Sequence, residues 1–370
     1  MPHTVILAGG GTGGHVYPAL AMGDALRARG HTVHYYGDAA RLEARVAPER
    51  GYLFRAIEAA QFPRAGLAAK LKFGVALLGH VWKARGQLKA DGATLVLGVG
   101  GYVMAPTVLA AWTLGVPSVI HEANAAPGLA NRLCAYVSRI VLLTFENTRF
   151  PGNAERVLVG CPVNPKVLTG DPAARQRRYG LDPARPVLLV VGGSLGAATL
   201  NAVAVAASKR AQVIHVTGPR YFEEYAKVYG PSTVAAPPDA PNGALFKPGL
   251  AVLPYEDRMA DAFASADLTV CRAGSSTLAE LCAVGMPMVL VPSPNVTDNH
   301  QEANARGLER AGAAKVFVEK DLDVEAVAGE VVAILGDEET RKRMAAAAKG
   351  LAKLDVAERV ADLIEARLPA

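Results

Sequence analysis

Short apolar runs alternate with longer segments of helical periodicity along the whole chain. In the first half the runs are Thr4 to Ala8, Thr32 to Gly37, Leu95 to Val99, Ser118 to His121 and Ile140 to Thr144, with Val157 to Val159 ending the series. Runs of this length, separated by helical stretches, predict βαβ units and a parallel sheet. Gly160-Cys161-Pro162-Val163-Asn164-Pro165 then reads as a turn-rich linker. Beyond it the pattern restarts with Val187 to Val191, Gln212 to Val216, Leu250 to Leu253, Leu268 to Cys271, Met288 to Val291 and Lys315 to Val318. The expectation is an α/β chain of two parallel-sheet domains, 1–162 and 163–344, facing each other across a crevice. A helical pattern from Glu338 to Arg367 follows, and its last part, about 345–370, is long enough to pack back on the first domain.

The turn after the first strand of each half carries candidate chemistry. Gly9-Gly10-Gly11-Thr12-Gly13-Gly14-His15 precedes the helical stretch Val16 to Arg29, and Gly192-Gly193-Ser194-Leu195-Gly196 precedes an alanine-rich helical stretch. Glycine lets the backbone approach a ligand closely, and the unpaired N–H groups of a helix start favour negative charge. His15 adds an imidazole, whose ordinary pKa near 6.5 suits a general base at neutral pH. Gly9-x-Gly11-x-x-Gly14, with Asp38 near the end of the next strand, also satisfies the dinucleotide fingerprint. A third turn, Gly98-Val99-Gly100-Gly101-Tyr102, has two readings: tight strand-to-helix packing, or backbone donors for a second anionic ligand.

Three further constellations sit at predicted strand ends. In His121-Glu122-Ala123-Asn124, Glu122 can orient an imidazole, act as a base or cap the next turn, and Asn124 can both donate to and accept from sugar hydroxyls. In Arg272-Ala273-Gly274-Ser275-Ser276-Thr277-Leu278-Ala279-Glu280, hydroxyls and N–H groups gather at a helix start. Glu280 can accept both hydroxyls of a ribose while Arg272 or the helix terminus meets phosphate; Thr277 and Glu280 also have the spacing of a capping box. Pro292 to Gln301 is polar and suits either a carbohydrate-reading loop or a surface turn. Separately, Leu67 to Arg85 mixes Lys70, Lys72, Lys83 and Arg85 with Phe73, Leu77, Leu78, Val81 and Trp82, the pattern of an interfacial membrane patch or of a core-facing amphipathic helix.

Composition narrows the class. With 370 residues, 51% hydrophobic and 20% charged, the chain can bury two cores. No apolar stretch reaches the roughly 20 residues of a membrane span, and the N-terminus lacks the apolar core of a secretory signal, so a cytoplasmic location is expected. Cys134, Cys161, Cys271 and Cys282 form no C-x-x-C pair, which argues against a zinc cluster or redox dithiol. A formal charge of +5 attracts anions, but aromatics are only 6% and no long basic run is present, so an anionic membrane surface is favoured over nucleic acid.

In order and spacing, Gly10 to His15, Gly100-Gly101-Tyr102, His121-Glu122, Gly192-Gly193-Ser194 and Arg272 to Gln301 resemble the MurG family of bacterial peptidoglycan glycosyltransferases over nearly the whole chain. The resemblance implies the GT-B fold of two Rossmann-like domains, the first facing acceptor and membrane and the second holding the UDP-sugar. It implies UDP-N-acetylglucosamine (UDP-GlcNAc) as donor and lipid I, the undecaprenyl-diphosphate-linked muramoyl pentapeptide, as acceptor, with lipid II and UDP as products. It places the protein on the cytoplasmic face of the plasma membrane, against the anionic inner leaflet and alongside other cell-wall synthesis proteins. Carried over by motif, His15 matches the candidate base, Glu280 the ribose contact, Ser275, Ser276 and Thr277 the loop around the α-phosphate, and Ser194 a diphosphate contact. Asn124 and Gln301 match positions that read N-acetylglucosamine, and Thr12, Gly13 and Gly14 close the donor site. The chain departs from the family pattern at Ala123 and Leu195, and at Asn164, kept as a donor-site position, where the family often has arginine. No cofactor and no obligatory metal are expected. The rival readings are a GT-B enzyme with another acceptor, an NAD-dependent oxidoreductase, and a catalytically silent sugar-nucleotide-binding protein.

Overall fold

The computed structural model describes residues 3–60, 62–63, 66–146, 148–296 and 299–367. The chain divides into two compact units, Met1–Asn164 with Lys353–Ala370, and Pro165–Ala352.

The first unit holds strands β1 (Thr4–Ala8), β2 (Thr32–Gly37), β3 (Leu53–Ala56), β4 (Leu95–Gly98), β5 (Ser118–Glu122), β6 (Ile140–Leu143) and β7 (Glu155–Leu158), with helices α1 (Gly13–Ala28), α2 (Leu42–Glu49), α3 (Leu67–Ala90), α4 (Met104–Leu114) and α5 (Leu129–Cys134) between them. The sheet runs β3-β2-β1-β4-β5-β6-β7 and is parallel throughout. Alternate residues of a strand serve opposite faces. Val5 and Leu7 pack with Val16, Leu20 and Leu26 of α1, whereas Ile6 and Ala8 pack with Ala84 and Leu88 of α3 and Met104 and Val108 of α4. Both faces are covered, which is why these strands read as unbroken apolar runs.

The second unit holds α6 (Ala174–Arg177), β8 (Val187–Val191), α7 (Ala198–Ser208), β9 (Gln212–Val216), α8 (Phe222–Tyr229), β10 (Leu245–Lys247), β11 (Leu250–Leu253), α9 (Met259–Ser265), β12 (Leu268–Cys271), α10 (Ser275–Val284), β13 (Met288–Leu290), α11 (His300–Arg310), β14 (Ala314–Val316), α12 (Val324–Gly336) and α13 (Glu338–Gly350). Its sheet order is β10-β11-β9-β8-β12-β13-β14, parallel except for the β10–β11 hairpin. In each unit the strand order reverses beside the first strand, between β1 and β4 and between β8 and β12. The glycine loops therefore open at the two topological switch points, where doubly wound sheets bind ligands.

Two strands escape the apolar pattern. β3 is an edge strand with no buried residue, and β10 is a three-residue edge; both pair on one side only, so neither needs a continuous apolar run. The helical stretch 338–367 is two helices rather than one. α13 stays with the second unit, and after Gly350 the chain passes to the first, where α14 (Val356–Glu365) lays Val356, Val360 and Ile364 into the core beneath α1. Arg29 at the end of α1 holds α14 from outside, donating to Asp362 at 2.6 Å and Glu365 at 2.9 Å. Ile364→Ala is expected to lower the stability of the first unit by about 2–5 kcal/mol, the range for emptying a buried aliphatic position; a denaturation midpoint that does not move would show that α14 is not part of that core.

Candidate active site

At the switch point of the first unit, two glycine turns interlock. Gly10 N–H donates to the Gly100 carbonyl at 3.3 Å, and the His15 ring packs against Gly100, where a Cβ would stand 2.7 Å from Cδ2 and 2.9 Å from Nε2. With φ +100, Gly100 could not be replaced without displacing the imidazole. The Gly100 N–H itself points inward, to the Met104 sulfur at 3.2 Å. The third glycine turn is thus the tight-packing kind, and its first donor is not offered to an anion.

The first loop is also occupied from below. Glu43, in the first turn of α2, is fully buried and accepts from Gly11 N–H through both carboxylate oxygens at 3.1 Å, and from Asp38 N–H at 3.1 Å. Of the expected anion-binding turn, the Gly11 N–H is thus taken by a carboxylate of the chain's own. Asp38, the candidate ribose ligand of the dinucleotide reading, is engaged through both oxygens, by Tyr102 O–H at 2.9 Å and Ala40 N–H at 2.8 Å. Nothing in the local spelling of the loop announces Glu43, because it lies on the next helix.

His15 is half-buried one turn into α1, with Nδ1 3.3 Å from the Thr12 hydroxyl. Thr12 is the N-cap residue, yet its side chain makes no cap bond and turns to the imidazole instead. Gly13 and Gly14 open α1 between them, which lets the ring lie over the loop rather than over a side chain.

Glu122 and His121 leave β5 on opposite faces, so the carboxylate does not orient that imidazole. His121 is buried against the Gly160 carbonyl at 2.9 Å, and burial lowers its pKa. Glu122, also buried, gathers the loop that follows it: Asn124 N–H at 2.9 Å, Gly128 N–H at 3.2 Å and Asn131 Nδ2 at 2.7 Å all donate to it. Burial pushes its carboxyl up to about 7, against the opposing pull of these hydrogen bonds. With its oxygens turned to the loop, Glu122 fits the shaping of the Asn124 segment better than the taking of a proton from a ligand.

In the second unit the same topology is left open. Gly193, Ser194 and Leu195 of the β8–α7 loop are exposed, and among the described residues no carboxylate reaches their backbone. Beside them α10 starts at Ser275 with Gly274 as N-cap and no side-chain cap, so the capping box of Thr277 and Glu280 does not form. Ser275 is buried and Ser276 and Thr277 half-buried at this helix start. Glu280, one turn on, is half-buried with its carboxyl pushed up to about 7 by desolvation, and among the described residues no side chain or N–H donates to it. A carboxylate held in that state is an acceptor awaiting donors.

Arg272 is committed elsewhere, a departure from its expected place on phosphate. Its guanidinium forms a two-pronged pair with Glu319 at 2.8 and 3.0 Å and donates to the Val291 carbonyl at 3.0 Å. Glu319 in turn accepts from Thr199 at the start of α7. Arg272 therefore ties together the segments after β12, β13 and β14 and the glycine-loop helix. Gln301 accepts from Ser293 N–H at 2.9 Å, leaving its amide NH2 as the end that can meet a ligand. Thr297 and Asp298 of the polar segment lie outside the described residues. Asn164 is exposed, the last residue of the first segment of its unit. Among the described residues no three His, Cys, Asp or Glu side chains gather as metal ligands.

Comparison with known proteins decides the class. Residues 5–142 match the glycosyltransferase family 28 N-terminal domain and residues 187–360 its C-terminal domain. The chain belongs to glycosyltransferase family 28. It is 40% identical over 368 residues to the UDP-N-acetylglucosamine–N-acetylmuramyl-(pentapeptide) pyrophosphoryl-undecaprenol N-acetylglucosamine transferase of Acidithiobacillus ferrooxidans, covering 98% of this chain and 97% of that one. The protein of the same description from Salinibacter ruber is 40% identical, with 97% and 95% covered. Among solved structures, MurG of Acinetobacter baumannii matches with a TM-score of 0.77 at 31% identity, covering 99% of this chain and 100% of that one. The calicheamicin glycosyltransferase CalG4, at 17% identity and a TM-score of 0.68, shares the fold. A family 28 chain with a self-filled first loop is a glycosyltransferase of GT-B fold, and the oxidoreductase reading falls.

One surface of this family 28 chain lies outside the switch points. α3 is apolar on two sides: Val81, Ala84 and Leu88 face the core, while Leu71, Val75, Leu78 and Trp82, spaced by four, three and four residues, are 66%, 73%, 64% and 70% exposed. Val81, expected on the outer patch, is a core residue, and Phe73 and Leu77 are half-buried. No helix among the described residues is long and apolar enough to cross a membrane.

The shift at Glu280 has a sign that can be tested. A folded value of about 7 exceeds the ~4.3 of a free glutamate, so the proton is held more tightly in the folded chain; this contribution to stability is present below about pH 4 and lost as pH rises through the folded value. Glu280→Gln is expected to leave stability unchanged at about pH 4 and raise it by about 2–3 kcal/mol at about pH 8. Equal denaturation midpoints for the two chains at the higher pH would contradict a desolvated carboxylate.

Proposed function

We propose that this chain transfers N-acetylglucosamine from UDP-GlcNAc to the C4 hydroxyl of the muramoyl sugar of lipid I, giving lipid II and UDP. The observation that carries the assignment of substrates to units is the asymmetry of the two glycine loops. A diphosphate needs donors and no competing charge. In the first unit Glu43 takes the Gly11 N–H of the loop, and in the second the loop at Ser194 is exposed beside a helix whose N-cap is Gly274. The nucleotide accordingly belongs to 163–344, with Ser194 and Ser275 to Thr277 on the phosphates and Glu280 accepting the ribose hydroxyls. Gln301 is assigned to the transferred sugar, and Thr12, Gly13, Gly14 and Asn124 are retained as sugar-reading positions on the resemblance alone. Asn164 is retained as a donor-site position on the resemblance alone. Arg272 acts on the nucleotide through the loops that it fastens.

The chemistry is one inverting displacement. The acceptor's C4 oxygen bonds to the anomeric carbon while the bond from that carbon to the β-phosphate oxygen breaks, and UDP leaves with the electron pair. The hydroxyl proton passes to His15, whose Nε2 carries the lone pair when Nδ1 donates to Thr12. Charge growing on the leaving diphosphate is met by the N-terminal dipole of α10 and the loop at Ser194. Glu122 holds the acceptor-side loop in shape.

The acceptor is tethered to a bilayer, and α3 supplies the matching surface. Its four outward apolar side chains, with exposed Lys70 and Lys72 beside them, suit insertion at the anionic inner leaflet on the cytoplasmic face. This adds peripheral membrane attachment to the function without a spanning helix.

Transfer of radiolabelled N-acetylglucosamine to a short-chain lipid I analogue tests the assignment, with UDP-glucose and a plain lipid as controls; product from the matched pair alone is expected, and binding of UDP-GlcNAc without transfer would return the acceptor to open choice. His15→Ala is expected to lower kcat by about 10²–10⁴ while leaving the donor KM within a few-fold, and native turnover in that variant would remove His15 from the mechanism. Replacing Val75 and Trp82 together with glutamate is expected to cut co-sedimentation with phosphatidylglycerol vesicles at least about tenfold while sparing turnover of the short-chain analogue; undiminished sedimentation would take the membrane role away from α3.

A further inference from the structure

We propose that Glu43 is a positioning residue for the transfer reaction: it acts as an internal anion that fixes the first glycine loop, and through that loop the placement of His15. The inference rests on the assignment of His15 as the base. Glu43 is fully buried in the first turn of α2, yet among the described residues no Lys, Arg or His pairs with it. Its charge is met by backbone donors alone, Gly11 N–H and Asp38 N–H, which come from the turns after two neighbouring strands. A buried carboxylate without a counter-ion is costly to keep unless its geometry serves a purpose. Here the surrounding chain makes room for it. A Cβ on Gly10 would overlap the Glu43 carboxylate, and one on Gly37 would stand 2.5 Å from its Cγ.

The consequence reaches the imidazole in two short steps. Gly11 is adjacent to Gly10, which donates to Gly100, and Gly100 is the residue on which the His15 ring rests. Asp38, held by the same carboxylate, accepts from Tyr102, two residues beyond Gly100. Glu43 thus sets both walls of the His15 seat, the loop that begins α1 and the turn that begins α4, without touching a substrate. Glutamine in its place has the same shape but turns an N–H2 toward at least one backbone donor, so donor faces donor and the loop must move.

The experiment compares the native chain, Glu43→Gln and Glu43→Asp in the transfer assay, with kcat and donor KM determined separately and UDP affinity measured by calorimetry. The Gln variant is expected to lose ten- to a hundredfold in kcat with UDP affinity within twofold, because the diphosphate is read in the other unit. The Asp variant, which keeps the charge at shorter reach, is expected to fall three- to tenfold. The proposal is overturned by a Gln variant whose kcat is within twofold of native, by a Gln variant whose UDP affinity falls as far as its kcat, or by an Asp variant no better than Gln. Should the Gln variant fail to fold, an Asp variant within twofold of native in kcat overturns it. A native chain that binds UDP but makes no product would defeat the assignment of the reaction itself, and this inference with it; native turnover beside an unaffected Gln variant would defeat this inference alone.

Discussion

Apart from the β10–β11 hairpin both sheets are parallel, with helices over both faces, and that single constraint decides where chemistry can occur. A strand such as β1 sends Val5 and Leu7 one way and Ile6 and Ala8 the other, and helices close over both sets. No face is left on which a polar side chain can wait for a ligand. Reactive groups are confined to the turns that leave the carboxyl ends of the strands, and the switch points, where neighbouring connections diverge, are the places with room. His15, Glu122, Ser194 and Glu280 all lie on or just beyond such turns.

Within that constraint the two units have diverged in electrostatics while keeping one topology. Each begins with a strand, a glycine turn and a helix. In the first, the Gly9 and Gly10 N–H groups go to the Tyr36 and Gly100 carbonyls and that of Gly11 to Glu43, and the turn becomes a platform for an imidazole. In the second, the turn stays open, and Arg272 and Glu319 pair with each other while bracing the loops around it. Backbone geometry alone therefore does not define an anion site; the site exists only where nothing within the chain has taken the donors.

The same distinction explains what the sequence made legible. The apolar runs located twelve of the fourteen strands: the ten interior ones because burial on both faces demands continuous apolar residues, and of the four edges, which pair on one side and carry no such demand, only β7 and β14. Motif spelling marked every turn that matters, since glycine is needed wherever backbone comes within contact distance of a neighbour. It did not tell whether the neighbour was ligand or protein. For Gly100 the neighbour is His15, and for Gly10 it is Glu43, 33 positions away and on another helix. The pairing of Arg272 was illegible for a related reason: its partner Glu319 follows the last strand of the sheet, and no local pattern connects them.

The two-sided apolar character of α3 carries a kinetic meaning. Water and the unit's own core offer cover for only one side of such a helix, and a bilayer offers it for the other. If the outer side rests in the leaflet that carries the acceptor, enzyme and acceptor share a surface and meet by lateral diffusion, so the effective concentration of acceptor is set by its density in the membrane and not by its amount in the cell. The water-soluble nucleotide alone arrives from bulk, and the crowding of the lipid carrier, more than the affinity for it, then governs how often the enzyme turns over.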